Sequence, residues 1–106
     1  MENKGTFGLS PATIQKIQSV FKNHRQVERV VIYGSRAKGN YSPGSDIDLV
    51  MMGSGLKIQD ILDIRVELEE LNLPYFIDLS ILETIKNPDL LEQMKRVELL
   101  FYQRPK

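Results

Sequence analysis

The sequence predicts a small α+β domain in which helices pack on one β-sheet, in the order α-β-β-α-β-α. Three segments repeat apolar residues at helical spacing, and three shorter segments are β-branched, aromatic or alternating. Clusters of Gly, Pro, Asn and Ser separate these segments, and no internal repeat or interior linker divides the chain. We therefore expect one domain over residues 1–106, with residues 1–9 flexible.

The predicted helices each combine a boundary signal with an apolar stripe. The first follows the Ser10-Pro11 pair, which suits an N-cap and a first helical position. The last follows the similar pair Asn87-Pro88, and Leu73-Pro74 closes the middle one. Residues 11–23, 57–71 and 88–102 are therefore predicted to be helical.

The predicted strands are short apolar runs that stop at turn residues. The first ends at Gly34 and the second at Gly53-Ser54-Gly55. Residues 27–33, 46–52 and 75–81 are therefore predicted to be strands. Alternation along the third places its residues on two faces: Tyr75, Ile77, Leu79 and Ile81 on one, and Phe76, Asp78 and Ser80 on the other.

Composition and charge exclude several classes of function. The 106 residues carry 14 basic and 14 acidic side chains, so neither direct DNA binding nor a polybasic membrane anchor is expected. No apolar run approaches the ~20 residues of a membrane span, and the N-terminus lacks the apolar stretch of a signal peptide, so we expect a cytoplasmic protein. Without cysteine, and with His24 as the one histidine, any catalysis must depend on carboxylates.

Asp46 and Asp48 form the first candidate site. Two residues apart on a strand, they point to one face with Cα atoms ~6.5 Å apart, while Ile47 and Leu49 point into the core. Neighbouring carboxylates repel unless a cation lies between them, and oxygen ligands favour Mg²⁺ or Mn²⁺. A D-x-D pair alone is a weak signal that more often marks a turn or a solvated edge.

Asp78 repeats the pattern as a lone acid inside the third predicted strand. If that strand pairs with the second at the usual ~4.8 Å, Asp78 joins Asp46 and Asp48. Three clustered carboxylates can hold two divalent ions ~3.5–4 Å apart, a spacing used for in-line nucleotidyl or phosphoryl displacement. The sequence therefore predicts a two-ion site made by these three acids.

Gly34 and Ser35 are the candidate phosphate-binding residues. A strand that ends at glycine and continues into a turn or short helix exposes backbone N–H groups and a hydroxyl to an anion. Arg36 and Lys38 add positive charge nearby. Arg36 either contacts a phosphate or bonds local carbonyls or a carboxylate. The sequence does not distinguish these roles, nor does it assign roles to Lys38, Ser80 and His24.

Together these residues resemble the polymerase β-like nucleotidyltransferase superfamily. Its signature is Gly-Ser, ten further residues, Asp-x-Asp, and a later single Asp on another strand. Gly34-Ser35, Asp46-Ile47-Asp48 and Asp78 match it at full spacing. The sequence is most similar to the minimal nucleotidyltransferases (MNT), which keep only the catalytic palm with its small mixed sheet. The resemblance covers about residues 10–104.

The resemblance implies a function. Members transfer NMP from an NTP, typically AMP from ATP, to an acceptor and release pyrophosphate. Gly34, Ser35 and Arg36 would bind the nucleotide, Asp46 and Asp48 would hold both Mg²⁺ ions, and Asp78 would hold one ion and help remove the acceptor's proton. Minimal members pair with helical HEPN-domain proteins, and in toxin–antitoxin pairs the MNT antitoxin adenylylates a tyrosine of the HEPN toxin. The missing helical domain of larger relatives implies such a partner or self-association.

Two other functions compete with catalysis. The first is a non-catalytic antitoxin that blocks a HEPN-type partner by occlusion; the intact acids and Gly34-Ser35 argue against it. The second is a glycosyltransferase that uses D-x-D for a nucleotide-sugar, for which the chain lacks a complete nucleotide-binding α/β unit. The acceptor and the preferred base cannot be determined from the sequence.

Overall fold

The computed structural model describes residues 7–105 and confirms the predicted fold class. One four-stranded sheet carries helices on both faces, with strand order β3-β2-β1-β4. In chain order the elements are α1 (Pro11–Lys22), β1 (Arg29–Tyr33), α2 (Ser35–Lys38), β2 (Ile47–Met52), α3 (Ile58–Glu69), β3 (Ile77–Ile81), a 3₁₀ turn (Leu82–Thr84), α4 (Pro88–Val97) and β4 (Leu99–Gln103).

Side-chain caps start two of the helices where the sequence predicts them. The hydroxyl of Ser10 accepts a hydrogen bond from the N–H of Thr13 at 3.1 Å, ahead of Pro11. The side-chain oxygen of Asn87 accepts from the N–H of Asp89 at 2.9 Å, ahead of Pro88. Each cap satisfies a helix N–H that has no partner within the helix.

The sheet is mixed, and its register decides which side chains share a face. β1 pairs antiparallel with β2 and with β4. β2 pairs parallel with β3, and α3 is the crossover helix that a parallel connection requires. Tyr33 is opposite Asp48, and Asp48 is opposite Asp78.

The two faces of the sheet have different cores. One face packs against α1 and α3 and forms the larger cluster, which includes Ile17, Phe21, Ile32, Leu49, Ile64 and Leu79. The opposite face buries Val31 and Val50 under Met94 of α4, with Tyr33 and Leu90 packed against them. The row of Tyr33, Asp48 and Asp78 lies on this second face because β-strand side chains alternate.

The predicted helix over residues 88–102 is wrong in its last third. α4 ends at Val97, and residues Leu99–Gln103 form β4 against the free edge of β1. Phe101 lies at helical spacing from Val97 and so extends the stripe, but a strand also satisfies the backbone groups of β1 that a helix would leave unpaired. Within β4, Phe101 and Tyr102 are buried, whereas Leu99 and Leu100 are exposed.

Other boundaries differ slightly from the predictions. The turn or short helix expected after Gly34 is α2, and the remaining helices and strands are one to three residues shorter at their ends. The expectation that residues 1–9 are flexible falls mostly outside the described residues, but Leu9 is only 1% exposed and belongs to the main core. No helix within residues 7–105 is both long and apolar enough to cross a bilayer.

Replacing Phe101 by alanine should test the docking of β4. The side chain is 3% exposed, and its ring centroid lies 5.8 Å from that of Phe7. Deleting a buried aromatic ring costs about 3–5 kcal/mol of unfolding free energy, measurable by urea denaturation. Leu100→Ala, at a position that is 49% exposed, is the control and should change stability by about 0.5 kcal/mol or less. Equal losses in both variants would contradict the placement of β4.

Candidate active site

The candidate site is built on a row of three polar residues across adjacent strands. Tyr33 on β1, Asp48 on β2 and Asp78 on β3 are direct register partners, so their side chains project from one face. The parallel pairing of β2 with β3 places Asp78 beside Asp48 rather than on the far side of the sheet. Asp48 and Asp78 are each half-buried.

Burial and neighbouring negative charges both change the pKa values of the row. Burial raises the pKa of Asp48, and the negative charges of Asp78 and Asp46 raise it further. Burial also raises the pKa of the Tyr33 hydroxyl, with contributions from Asp48 and Asp78. Ionised Asp48 is therefore held at a free-energy cost, because desolvation and like charges both disfavour the carboxylate.

Asp46 enters the site from the loop before β2. It is exposed and precedes Ile47, whose N–H donates to the carbonyl of Phe76 at 2.9 Å and so fixes the start of β2 on β3. Asp46 lies outside the strand, two residues before Asp48, and its negative charge contributes to the raised pKa of Asp48. Asp48 therefore interacts with both other acids, with Asp78 across the sheet and with Asp46 along the chain.

Gly34 brings the candidate phosphate-binding turn against Asp48. Its φ of 76° and ψ of −154° lie in a region that only glycine adopts readily. A Cβ atom at this position would lie 2.5 Å from Oδ2 of Asp48. Glycine is therefore required twice, by the backbone conformation and by the adjacent carboxylate, and the Gly34-Ser35 turn borders the acids directly.

Gly34→Ala should disrupt this contact and reduce stability. Gly39 offers a matched control because it also has a positive φ, 90°, but a Cβ there would meet no atom within 4 Å. We expect Gly39→Ala to cost about 1–2 kcal/mol of unfolding free energy from backbone strain alone. Gly34→Ala should cost more, since strain and the clash with Asp48 add. Equal costs, measured by urea unfolding, would show that Asp48 does not crowd Gly34.

Arg36, a predicted nucleotide-binding residue, makes local contacts in the structure, and its nucleotide-binding role stays a prediction. It is only 2% exposed. Its guanidinium donates to the carbonyls of Ser45 (3.1 Å from Nε and 2.9 Å from Nη2), Pro43 (3.2 Å) and Phe7 (2.9 Å). Its Cζ atom also lies 5.3 Å and 5.0 Å from the ring centroids of Tyr41 and Tyr75. Through these carbonyl bonds Arg36 fastens the loop that leads to Asp46.

The donor chemistry of the row fits a divalent cation. Carboxylate oxygens are the ligands that Mg²⁺ prefers, and a cation would neutralise the repulsion that raises the pKa of Asp48. Within residues 7–105, however, no three acidic, imidazole or thiol side chains are already close enough together to hold an ion. Asp48 and Asp78 share a face, and exposed Asp46 lies outside β2, so the three acids do not form a closed ligand group.

Most of the sequence matches the profile of one protein family. The profile of the family described as polymerase beta, nucleotidyltransferase matches residues 15–106. This chain belongs to the polymerase β nucleotidyltransferase family. The match includes both strands of the Gly-Ser and Asp-x-Asp motifs and the strand that bears Asp78. No curated protein is similar enough in sequence to be matched to this chain.

Solved structures of nucleotidyltransferase complexes share the fold. A chain of a toxin–antitoxin complex with AMP-PNP superposes with a TM-score of 0.68 at 17% identity, covering 85% of this chain and 73% of the other. This chain also superposes on a chain of a complex of tri-AMPylated Shewanella oneidensis HEPN toxin with MNT antitoxin (TM-score 0.62, 16% identity, covering 87% of this chain and 71% of the other). A further match is the toxin–antitoxin complex MntA–HepT (0.61, 15%, 87% and 71%).

Several polar residues of this nucleotidyltransferase take positions that the sequence left open. Tyr33, which immediately precedes Gly34, lies in the row beside Asp48. Its hydroxyl group at the end of an otherwise apolar strand is the sequence signal that could have indicated this position. His24, to which the sequence assigns no role, bonds Glu67 at 2.8 Å and so links the end of α1 to α3. Ser80 is opposite Val50, two residues further from the site, and Lys38 is exposed.

Proposed function

We propose that this chain is an Mg²⁺-dependent nucleotidyltransferase that transfers AMP from ATP to a hydroxyl of a protein acceptor, a tyrosine of a HEPN-type partner. The observation that carries the proposal is the contact of Gly34 with Asp48 beside Asp78, because it brings a phosphate-binding turn and paired carboxylates together. The solved relatives with AMP-PNP and with an AMPylated HEPN toxin support the choice of nucleotide and partner. ATP is available in the cytoplasm, where we place the protein.

The chemistry assigns a role to each residue. The acceptor oxygen attacks the α-phosphorus of ATP, the bond from that phosphorus to the β-phosphate oxygen breaks, and pyrophosphate leaves with the electron pair. Asp78 helps to accept the proton of the acceptor hydroxyl. The Gly34-Ser35 turn holds the triphosphate next to Asp48. Mg²⁺, held by Asp46, Asp48 and Asp78, would neutralise the charge that develops on the phosphates.

Label transfer tests the proposal directly. The protein is incubated with α-³²P-labelled ATP, Mg²⁺ and a purified HEPN-domain protein from the same genome, and the label on the acceptor is measured. We expect transfer that is abolished by EDTA and by mutation of the acceptor tyrosine to phenylalanine. No transfer, together with inhibition of the HEPN protein by a variant lacking Asp46, would instead support antitoxin action by occlusion.

A further inference from the structure

The free edge of β3 borders the candidate site. β3 is the outermost strand on its side of the sheet, so half of its backbone groups have no strand partner. The carbonyl of Phe76 bonds Ile47 of β2, whereas the carbonyl of Leu79 accepts from Nη2 of Arg65 at 3.0 Å, away from β2. Because backbone direction alternates along a strand, Ile77, Leu79 and Ile81 direct their N–H and C=O groups to the open edge.

The unsatisfied part of this edge is short and lies at Ile77, next to Asp78. The carbonyl of Leu79 is bonded by Arg65, and that of Ile81 accepts from the hydroxyl of Thr84 at 2.8 Å. In the part of the chain that the structure describes, no hydrogen bond uses the outward N–H and C=O of Ile77. The backbone of Ile77 is therefore available to an added strand.

A groove follows the same edge. Its volume is about 570 Å³, and it lies between β3 and the C-terminal half of α3, with Asp78 among its lining residues. Phe76 also lines it and is 66% exposed, an unusual position for so large an apolar ring. Alternation puts Phe76 on the side of Asp78. The groove thus runs along the edge of β3 on the side of α3, and Asp78, on the opposite face, is also one of its lining residues.

We propose that this edge receives the acceptor as an extended peptide, paired antiparallel through the backbone of Ile77 and carrying its hydroxyl residue opposite Asp78. The inference rests on the proposed nucleotidyl transfer and specifies how its acceptor binds. With a hydrogen-bonded pair at Ile77, the residue opposite Asp78 is in a non-hydrogen-bonded pair, where Cα atoms approach to ~4.5 Å. Its side chain would extend the row of Tyr33, Asp48 and Asp78 onto a fourth strand.

The chemistry of the groove favours a peptide over a polyanion. A backbone donor and acceptor at Ile77 are satisfied by the backbone of an added strand. The charged residues along the groove are Arg65, Glu69 and Asp78, so acidic side chains outnumber the basic one and a nucleic acid would be repelled. Phe76 is diagonal to the acceptor position and offers an aromatic contact to its side chain.

Ile77→Pro tests the edge, with Ile77→Ala as its matched control. Both variants remove the side chain, but only proline deletes the outward N–H, and it spares the bonds to β2. With the HEPN-domain protein as acceptor, Ile77→Pro should raise the KM for acceptor about tenfold over Ile77→Ala. The KM for ATP should stay the same in both. Equal KM values for acceptor in the two folded variants would overturn the proposal.

A second measurement needs no variant. Deuterium exchange at the Ile77 amide of the wild-type protein is followed by NMR with AMP-PNP, before and after adding the acceptor. We expect exchange at Ile77 to slow at least about tenfold, while the amide of Asp78, already directed to β2, serves as internal reference. Transfer of label without protection of Ile77 would refute strand addition alone, whereas absence of transfer by the wild type would refute the proposed function itself.

Discussion

Replacing Asp48 by asparagine is expected to abolish nucleotidyl transfer while leaving the metal-free protein as stable as the wild type, or more stable. Asp48 is the central member of the row, next to Asp78 and against Gly34. Removing its charge removes a ligand for the cation that would neutralise the phosphates, so we expect label transfer to fall at least ~100-fold. The stability effect has the opposite sign because neutral asparagine relieves desolvation and repulsion.

The stability effect should depend on pH in a defined direction. Because the pKa of Asp48 is raised in the folded protein, the native state binds this proton more tightly than the unfolded chain does. The free energy that protonated Asp48 contributes to folding is thus fully present below its ordinary pKa of about 4. It is lost as the pH rises through the higher pKa that Asp48 has in the folded protein. The advantage of Asp48→Asn over the wild type should therefore grow from pH 4 to pH 7.

Thermal melts in EDTA measure this advantage, and Mg²⁺ titrations complete the test. Added Mg²⁺ should raise the Tm of the wild type but not that of Asp48→Asn, since a ligand stabilises only the state that binds it. Asp63→Asn is the control: Asp63 is exposed on α3 and lies outside the row. A large loss of stability in Asp48→Asn without metal would mean that its carboxylate is stabilising, contrary to its raised pKa.

The parts of the fold that the sequence predicts well are those decided by local pattern. Caps at Ser10 and Asn87 and alternation in β3 depend on neighbouring residues, and the structure confirms them. β4 could not be predicted in this way, because its strand conformation depends on an unpaired edge of β1 about 70 residues earlier in the chain. The apolar stripe through Phe101 fits a helix equally well until that edge is considered.

The same distinction between local pattern and long-range contact applies to the candidate site. The faces of Asp48 and Asp78 follow from the period of a strand, so their position in one row could be predicted once β2 and β3 were paired. The contacts of Arg36 could not be predicted, because its partners are the backbone carbonyls of Phe7, Pro43 and Ser45. Every residue has a backbone carbonyl, so residue identity does not indicate which carbonyl is the partner.

Arg36→Ala is expected to cause a large loss of stability. Four hydrogen bonds from the buried guanidinium would be lost, and the carbonyls of Phe7, Pro43 and Ser45 would lose a charged donor. Bonds to charged groups are each worth about 1.5–3 kcal/mol, so we expect a loss of about 3 kcal/mol or more. The corresponding fall in Tm is about 12 °C or more. Urea and thermal unfolding measure both quantities.

Lys38→Ala separates this role from a simple effect of charge. It removes the same charge from the same short helix, but Lys38 is exposed, so stability should change by about 0.5 kcal/mol or less. Arg36→Lys should resemble Arg36→Ala, because an ammonium cannot span three carbonyls and stack between Tyr41 and Tyr75. If Arg36→Lys instead kept wild-type stability and lost ATP affinity, the guanidinium would be a phosphate ligand. Because Arg36 holds the loop that ends at Asp46, its loss should also weaken the binding of Mg²⁺ by Asp46, Asp48 and Asp78.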